Sequence, residues 1–239
     1  MLCFQEAILL LLMLLEDYYF PKGEGMNQDE NIKRFEGELK KVKREGMDEL
    51  LNYVQTSDFY TAPTSTKYHL CCPGGLLQHS LNVLDALRSL LRENEDGSFS
   101  YMLSGQEIDK VSAENVIIMA LFHDICKTRF YVETRRNKKV DGRWVEVPFY
   151  EIIDEAPLGH GEKSVIMLQS YIKLEKPELY AIRWHMGFPE GNDIYTFASA
   201  VEKYPIVWAL HTADMLTSHI VEGDQENRAK FSTKAGEEK

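Results

Sequence analysis

The spacing of apolar residues predicts a chain built mainly from helices. Over residues 31–54, apolar side chains recur at helical intervals among many charged ones. A second apolar stripe, over residues 76–91, predicts a helix that begins near Gly75 and is ended by Gly97 and Ser98. The segment between these two helices is rich in Pro, Gly, Ser and Thr, so we expect it to be mostly loop.

A third helix should begin after Ser112, a favourable N-cap residue, and continue through the segment VIIMALF. This segment is apolar on every side, which is typical of a buried helix. The period then changes to that of strands on both sides of Asp141 and Gly142, a strong turn signal, which predicts a β-hairpin over residues 130–153. Helical spacing returns over residues 161–174, 177–186 and 205–221.

The pattern divides the chain into an N-terminal helical extension (1–60), a main domain (61–221) and a charged, flexible tail (222–239). Residues 7–15 form an apolar run that lacks the basic segment of a secretory signal and is about half as long as a bilayer span. We interpret this run as a helix that docks on the core or forms a homo-oligomer, and we expect no membrane contact. A membrane anchor and a wrongly assigned start codon are the alternatives.

Charge and cysteine content narrow the class of protein. Lys and Arg number 27 against 38 Asp and Glu, and the net charge of -11 argues against general nucleic-acid coating, which depends on phosphate neutralisation. This charge is compatible with a local site for a small anionic substrate. The four cysteines show no CxxC spacing, which favours a reducing, cytoplasmic location over a structural zinc site.

Asp124 is the first candidate for chemistry, because it stands at the C-terminal end of the predicted buried helix. An ionised carboxylate at this point faces the negative end of the helix dipole, and its burial without a partner costs several kcal/mol. A bound cation removes that penalty, and His123 offers an imidazole one residue away.

Similar residues interrupt other apolar segments. His79 lies within the second stripe, Asp214 stands among apolar residues near the C-terminus, and His160 and His185 lie at helix ends. Each alone is more often a hydrogen-bonded core residue, and spacing in sequence does not establish proximity in space. Imidazole and carboxylate together favour Mn, Fe, Co, Ni or Zn over Ca. The candidate metal ligands are His79, His123, Asp124, His160, His185 and Asp214.

The order of these residues resembles a known family. His79, then His123-Asp124, then Asp214 is similar to the H…HD…D signature of the HD superfamily of metal-dependent phosphohydrolases. The words GGLLQH at residues 74–79 and HDICK at residues 123–127 resemble its GGLLEHS-type and HDIGK-type motifs. The nearest likeness is to phage-associated and exoribonuclease-type HD domains. The resemblance implies a mainly α fold: an HD-domain helical bundle, here with one inserted β-hairpin. It also implies that the protein hydrolyses a phosphate ester or anhydride.

The resemblance also implies roles for individual residues. His160 and His185 lie where members with two metal ions carry additional histidines, so Asp124 is expected to bridge two divalent transition metals. His79, His123 and Asp214 would hold one ion. His160 and His185 would hold the other, and a single ion is the alternative. The absence of a GYP-type motif argues against a cyclic-dinucleotide phosphodiesterase.

The chemistry expected at Asp124 is attack on phosphorus by a metal-activated hydroxide. Lys127 is expected either to neutralise charge on the phosphoryl oxygens or to stabilise a helix C-terminus. His211 lies three residues before the last candidate ligand, and it is expected either to donate a proton to the leaving group or to hydrogen bond a ligand. Lys127 and Arg129 are the candidate substrate-binding residues.

The predicted hairpin concentrates positive charge in an otherwise acidic protein, at Arg129, Arg135, Arg136, Lys138, Lys139 and Arg143. It is either a flap that attracts a phosphorylated small molecule, a nucleotide or a short single-stranded nucleic acid, or an ordinary solvated hairpin with charged edges. We therefore predict a metal-dependent phosphohydrolase that acts on a phosphoester or phosphodiester. The alternatives are a non-catalytic nucleotide-binding and signalling module and a nucleic-acid-binding protein that uses the hairpin.

Overall fold

The chain folds mainly into helices, which confirms the predicted fold class. A computed structural model of the protein describes residues 27–66, 68–140, 143–189 and 193–223. Within these ranges eight α-helices bury one continuous hydrophobic core, and two small antiparallel sheets complete the fold. The apolar run over residues 7–15 lies outside the described residues, as does the tail from residue 224. Among the helices that the structure describes, none is long and apolar enough to cross a membrane.

The helical pattern over residues 31–54 corresponds to two helices rather than one. Helix α1 spans Gln28–Leu39 and α2 spans Met47–Thr56, and Gly46 separates them with a φ of 89°. A side chain at Gly46 would collide with Tyr171, because its Cβ would lie 1.8 Å from the Tyr171 carbonyl oxygen. Both helices contribute to the same core as the rest of the chain, so the described part of the predicted extension packs as part of the main body.

The second predicted helix ends earlier than expected. Helix α3 spans Gly75–Leu90. A three-stranded antiparallel sheet follows, formed by β1 (Leu91–Glu93), β2 (Phe99–Leu103) and β3 (Gln106–Val111). Gly97 lies in the turn between the first two strands, so the prediction that it ends the helix is wrong. Ser104 and Gly105 both have positive φ angles, 50° and 81°, as a two-residue hairpin turn of the primed type requires.

Helix α4 (Ala113–Phe122) begins where the sequence predicts. The Ser112 hydroxyl accepts a hydrogen bond from the Asn115 backbone, and the Asn115 side chain accepts one from the Ser112 backbone in return. The helix is buried from Asn115 to its end. The end of this helix therefore places His123 and Asp124 in the core, and a short 3-10 turn, Ile125–Lys127, follows.

The predicted hairpin is confirmed. Strands β4 (Tyr131–Val140) and β5 (Arg143–Ile152) pair antiparallel along their whole length, and residues 141–142 between them lie outside the described residues. Further helices follow: α5 (His160–Gln169), α6 (Lys176–Trp184), α7 (Asp193–Lys203) and α8 (Ile206–Leu216). Helix α7 has no counterpart among the predicted elements, and the other three match predicted helices that are longer.

Glu222, where the charged tail is predicted to begin, is part of the packed structure. Helix α8 continues as a π-helical turn over Thr217–Val221, and this turn leads into Glu222. The Glu222 side chain is only 2% exposed and bonds to His79 and Asn82. The prediction that Glu222 belongs to a flexible tail is therefore wrong, because its carboxylate finds buried donors.

Glu38 ties α1 to α3 through an ion pair. Its carboxylate accepts hydrogen bonds from both terminal nitrogens of Arg88 and from Lys41. Burial opposes ionisation of Glu38, but these two cations outweigh it and lower the pKa of Glu38 to about 2.

The substitution Glu38→Gln should lower the free energy of unfolding at neutral pH by about 1–2 kcal/mol, since both cations are partly exposed and screened. A carboxylate with a depressed pKa stabilises the fold above its unfolded-state pKa and loses that contribution as the pH falls through its folded-state pKa. The difference between wild type and variant in urea denaturation should therefore shrink from pH 4.5 down to about 2. A difference that stays constant over this range would show that the ion pair does not stabilise the fold.

Candidate metal centre

Three helices bring four of the candidate ligands to one buried point. His79 lies on α3, His123 and Asp124 follow the end of α4, and Asp214 lies on α8. His79 Nε2 lies 3.2 Å from Asp214 Oδ1 and 3.3 Å from His123 Nε2. Asp124 Oδ2 lies 3.6 Å from His123 Nε2 and 3.9 Å from His79 Nε2. None of the four residues is more than 4% exposed.

These separations match the spacing of ligands around one metal ion. Ligand atoms held about 2.0–2.2 Å from a divalent ion lie roughly 3–3.5 Å from their nearest neighbours in tetrahedral or octahedral geometry. Each imidazole of this group has its Nε2 3.2–4.0 Å from the other imidazole and from an oxygen of each carboxylate. The residues present therefore fit a divalent transition metal.

Hydrogen bonds on the outer side of each ring orient three histidines. Nδ1 of His123 and Nδ1 of His185 each donate to the backbone carbonyl three residues earlier, at 2.9 and 2.7 Å. Nδ1 of His79 donates to the Glu222 carboxylate at 3.0 Å. Because the Nδ1 proton of each ring is held by these acceptors, the neutral form of each imidazole leaves the Nε2 lone pair for a metal ion.

Two atoms at the centre lack the partners that burial demands. Asp124 Oδ1 and His185 Nε2 face each other at 3.5 Å, and neither has a hydrogen-bond partner in the part of the chain that the structure describes. A buried, unsatisfied polar group costs about 1–3 kcal/mol, and a charged group costs more. A bound cation would satisfy both atoms.

The electrostatics of the centre favour a cation. Burial opposes ionisation of Asp124 and Asp214, yet the pKa of both carboxyls is well below the usual range. Lys127 and nearby imidazoles lower the pKa of Asp124, and imidazoles alone lower the pKa of Asp214. Burial also opposes protonation of His79, yet the Glu222 and Asp214 carboxylates raise the pKa of His79 to about 10. Without metal, a proton on His79 balances part of the negative charge, and a divalent ion would displace it.

His160 and Cys126 form a second group beside Asp124. His160 begins α5, and its Nδ1 lies 3.4 Å from the Cys126 thiol. Ligand atoms of Asp124, Cys126 and His160 all lie within 4.8 Å of one another. The structure thus brings all six predicted ligands into the surroundings of Asp124, and it adds a thiol that the sequence pattern gave no reason to include.

Lys127 joins the centre through an ion pair. Its Nζ lies 2.6 Å from Asp124 Oδ2, and its side chain is 12% exposed. Burial disfavours the charge on Lys127, but the Asp124 carboxylate raises the pKa of Lys127 above its ordinary value. The Lys127 ammonium therefore stays positively charged beside the Asp124 carboxylate, as a group that neutralises a phosphoryl oxygen requires.

Two predicted residues lie farther from the ligands. His211 donates from Nδ1 to the His185 backbone carbonyl at 2.7 Å, a contact that supports this ligand's position. Gly187 lets the His211 ring pack against the chain, because a Cβ at Gly187 would lie 2.5 Å from that ring. The Arg129 guanidinium lies 5.8 Å from the centre of the Tyr53 ring on α2, and the structure does not bring it to the ligands.

Further polar residues around the centre were not predicted. Glu222 accepts hydrogen bonds from His79 and from Asn82. The Ser218 hydroxyl donates to the Asp214 carboxylate at 3.1 Å. The His69 ring lies 5.0 Å from the ring of His79. His69 and Glu222 come from a loop and from the end of the described chain, where no apolar period marks a buried face. Ser218 lies within the predicted helix over residues 205–221, but its contact with the carboxylate could not be predicted from the helical spacing. The one readable signal was Asn82, three residues after His79 on an apolar stripe.

The substitution Glu222→Gln should weaken metal binding about 10–100-fold, because a neutral amide holds the His79 ring less firmly and leaves Nε2 less basic. Calorimetric titration with Zn2+ or Mn2+ measures this change. Glu49→Gln, at an exposed position on α2, is the matched control and should bind metal as the wild type does. Equal affinity of Glu222→Gln and wild type would contradict the assigned role of Glu222.

Comparison with known proteins agrees with this geometry. The family model of the HD domain matches the chain over residues 76–230, more than half of its 239 residues. Neither the curated proteins nor the solved structures yielded a match. The matched segment contains all six candidate ligands, including the His123-Asp124 pair. The chain therefore belongs to the HD domain family, a superfamily of metal-dependent phosphohydrolases.

Proposed function

We propose that the protein is an enzyme that hydrolyses a phosphoester or phosphodiester of a nucleotide or short oligonucleotide, with one or two divalent transition metals. The unsatisfied pair of Asp124 Oδ1 and His185 Nε2, within a buried set of imidazoles and carboxylates, is the observation that carries this proposal. Such a set is costly to bury unless it holds a cation. The residues that would hold the first ion are His79, His123, Asp124 and Asp214.

A divalent ion, when bound, lowers the pKa of a water molecule toward neutrality and stabilises negative charge on phosphoryl oxygens. The chain supplies orientation and charge balance. Asp124 turns Oδ2 toward His79 and His123 and Oδ1 toward His185, which suits it to link two metal positions. Lys127 can shift its ammonium from Asp124 to a phosphoryl oxygen and balance the charge that develops in the transition state.

The hairpin supports a nucleotide or oligonucleotide as the substrate. It begins at Tyr131, four residues after Lys127, so its base lies close to the metal centre in the chain. Arg136, Lys139 and Arg143 are exposed on its strands. In a chain of net charge -11, these side chains create a local positive field that attracts phosphate groups.

A substrate panel tests the proposal. Protein loaded with Mn2+, Fe2+, Co2+, Ni2+ or Zn2+ is assayed with bis-p-nitrophenyl phosphate, p-nitrophenyl phosphate, nucleoside triphosphates and short oligonucleotides. We expect turnover of at least one of these compounds, lost on chelation and restored by metal. Turnover of none, or turnover that a chelator leaves intact, would contradict the proposal. Nucleotide binding without turnover would favour a non-catalytic module.

A second candidate function is nucleic-acid binding through the hairpin, favoured by the exposed Arg136, Lys139 and Arg143. It predicts binding to short single-stranded nucleic acid that weakens steeply with salt. Such binding should survive in a double variant, His123→Ala with Asp124→Ala, because the hairpin does not need the metal. Binding that disappears in this variant would exclude this second function.

A further inference from the structure

Cys126 lies beside the metal centre and has no part in the function proposed above. It follows Asp124 by two residues, in the 3-10 turn after α4, and it is 3% exposed. Its Sγ lies 3.4 Å from His160 Nδ1. A buried free cysteine is ordinarily a small apolar core residue, so its position alone does not indicate chemistry.

The surroundings of Cys126 supply independent observations that point to a cation. Ligand atoms of Asp124, Cys126 and His160 lie within 4.8 Å of one another. Asp124 Oδ1, the oxygen turned away from the first set of ligands, has no hydrogen-bond partner in the described ranges, and neither does His185 Nε2 at 3.5 Å from it. Asp124 is 4% exposed and His185 is fully buried, so water does not readily satisfy either atom.

The local fold fixes the position of the Cys126 thiol relative to the His160 imidazole. The Cys126 backbone N–H donates to the Ser164 hydroxyl at 3.4 Å, and Ser164 lies on α5, the helix that begins with His160. One contact between the 3-10 turn and α5 therefore positions both side chains.

We propose that Cys126 is a thiolate ligand of a second metal ion, together with Asp124, His160 and His185. This inference rests on the proposed function, since it adds a ligand to the metal centre that the function requires. On binding, the thiol proton passes to solvent and a sulfur–metal bond forms, with no change in oxidation state. One thiolate, two imidazoles and one carboxylate form a ligand set that suits zinc, cobalt or ferrous iron.

A thiolate changes which metals the second position prefers. Sulfur favours Zn2+ and Co2+ over Mn2+ and Mg2+, whereas imidazole and carboxylate alone discriminate less. The variant Cys126→Ala should therefore bind the second Zn2+ or Co2+ at least about tenfold more weakly than the wild type, by analogy with other changes around metal sites. Its affinity for Mn2+ should change by less than about threefold.

Cobalt titration of the full chain, followed by absorption spectroscopy, tests the inference. Cobalt-loaded wild type should show a thiolate-to-cobalt charge-transfer band in the near ultraviolet. Zinc-loaded wild type should show a sulfur neighbour at about 2.3 Å in X-ray absorption. The variant Cys126→Ala should lose both signals and still take up metal at the first position. Cys71→Ala and Cys72→Ala are matched controls that should keep both signals.

The outcomes separate this inference from the proposed function. Cobalt uptake without a thiolate band, or a band that persists in Cys126→Ala, would overturn the inference and leave the proposed function intact. Failure to take up any transition metal would overturn both. If Cys126→Ala does not fold, the variant Cys126→Ser retains a polar side chain of similar size, and loss of the thiolate band in it gives the same answer.

Discussion

Replacing Asp124 with asparagine is expected to reduce turnover of a phosphate ester at least about a thousandfold and to release bound metal. Asp124 presents one oxygen to His79 and His123 and the other to His185, so loss of its charge should weaken binding at both proposed metal positions. A metal ion contributes several kcal/mol of transition-state stabilisation, and each 1.36 kcal/mol is about tenfold in rate. The measurement is kcat/KM for bis-p-nitrophenyl phosphate, with elemental analysis of the same samples.

The same substitution removes the anionic partner of Lys127, which destabilises the fold by itself. A double variant, Asp124→Asn with Lys127→Met, removes both charges; it should be as inactive as the single variant but more resistant to urea. Asp85→Asn, on the partly exposed side of α3, is the control and should keep full activity. Turnover within about tenfold of wild type in Asp124→Asn would contradict the role assigned to this carboxylate.

Replacing Arg44 with alanine is expected to lower the free energy of unfolding by about 3–5 kcal/mol. Arg44 lies between α1 and α2, and its two terminal nitrogens lie 2.7 Å from the two carboxylate oxygens of Glu178 on α6. Its Nε also donates to Glu114 at 3.1 Å. Glu178 is fully buried, so removal of the guanidinium leaves an uncompensated charge in the core. Urea denaturation monitored by circular dichroism measures the loss.

Arg34→Ala is the control for this prediction, because the Arg34–Asp85 pair is partly exposed, and its loss should cost less than about 1 kcal/mol. A double variant, Arg44→Ala with Glu178→Gln, should recover part of the stability, since no buried charge is left without a partner. Equal losses in the two single arginine variants would contradict the prediction. The expected result would show that the segment joining α1 and α2 contributes to the stability of the HD domain.

The buried helices could be predicted from the sequence because burial on a helix leaves a periodic mark. The apolar stripe of α3 and the continuous apolar run of α4 predicted both helices. The three-stranded sheet could not be predicted in this way, because β1 has 3 residues and β3 is exposed at four of its 6 positions. Its available signals were the turn residues Asp96-Gly97 and Ser104-Gly105. Gly97 was interpreted as the end of a helix, and no element was predicted around Ser104-Gly105.

The same reasoning explains which site residues were predictable. His79, Asp124 and Asp214 interrupt apolar segments, and a polar group in such a position needs a buried partner. Glu222 stands beside charged residues in the sequence and resembles part of a solvated tail, whereas Cys126 is indistinguishable from an apolar residue in any hydropathy pattern. The sequence pattern also does not reveal that the C-terminal ends of α4, α6 and α8 lie close together, because tertiary packing alone determines that.

The central claim is that buried imidazoles and carboxylates around Asp124 hold a transition metal. Elemental analysis of the full chain, purified without chelator, tests this claim most directly. We expect at least one equivalent of Mn, Fe, Co, Ni or Zn per chain in the wild type, and none in a double variant with His123→Ala and Asp124→Asn. A wild-type protein that takes up no transition metal, even after incubation with each of the five, would contradict the account.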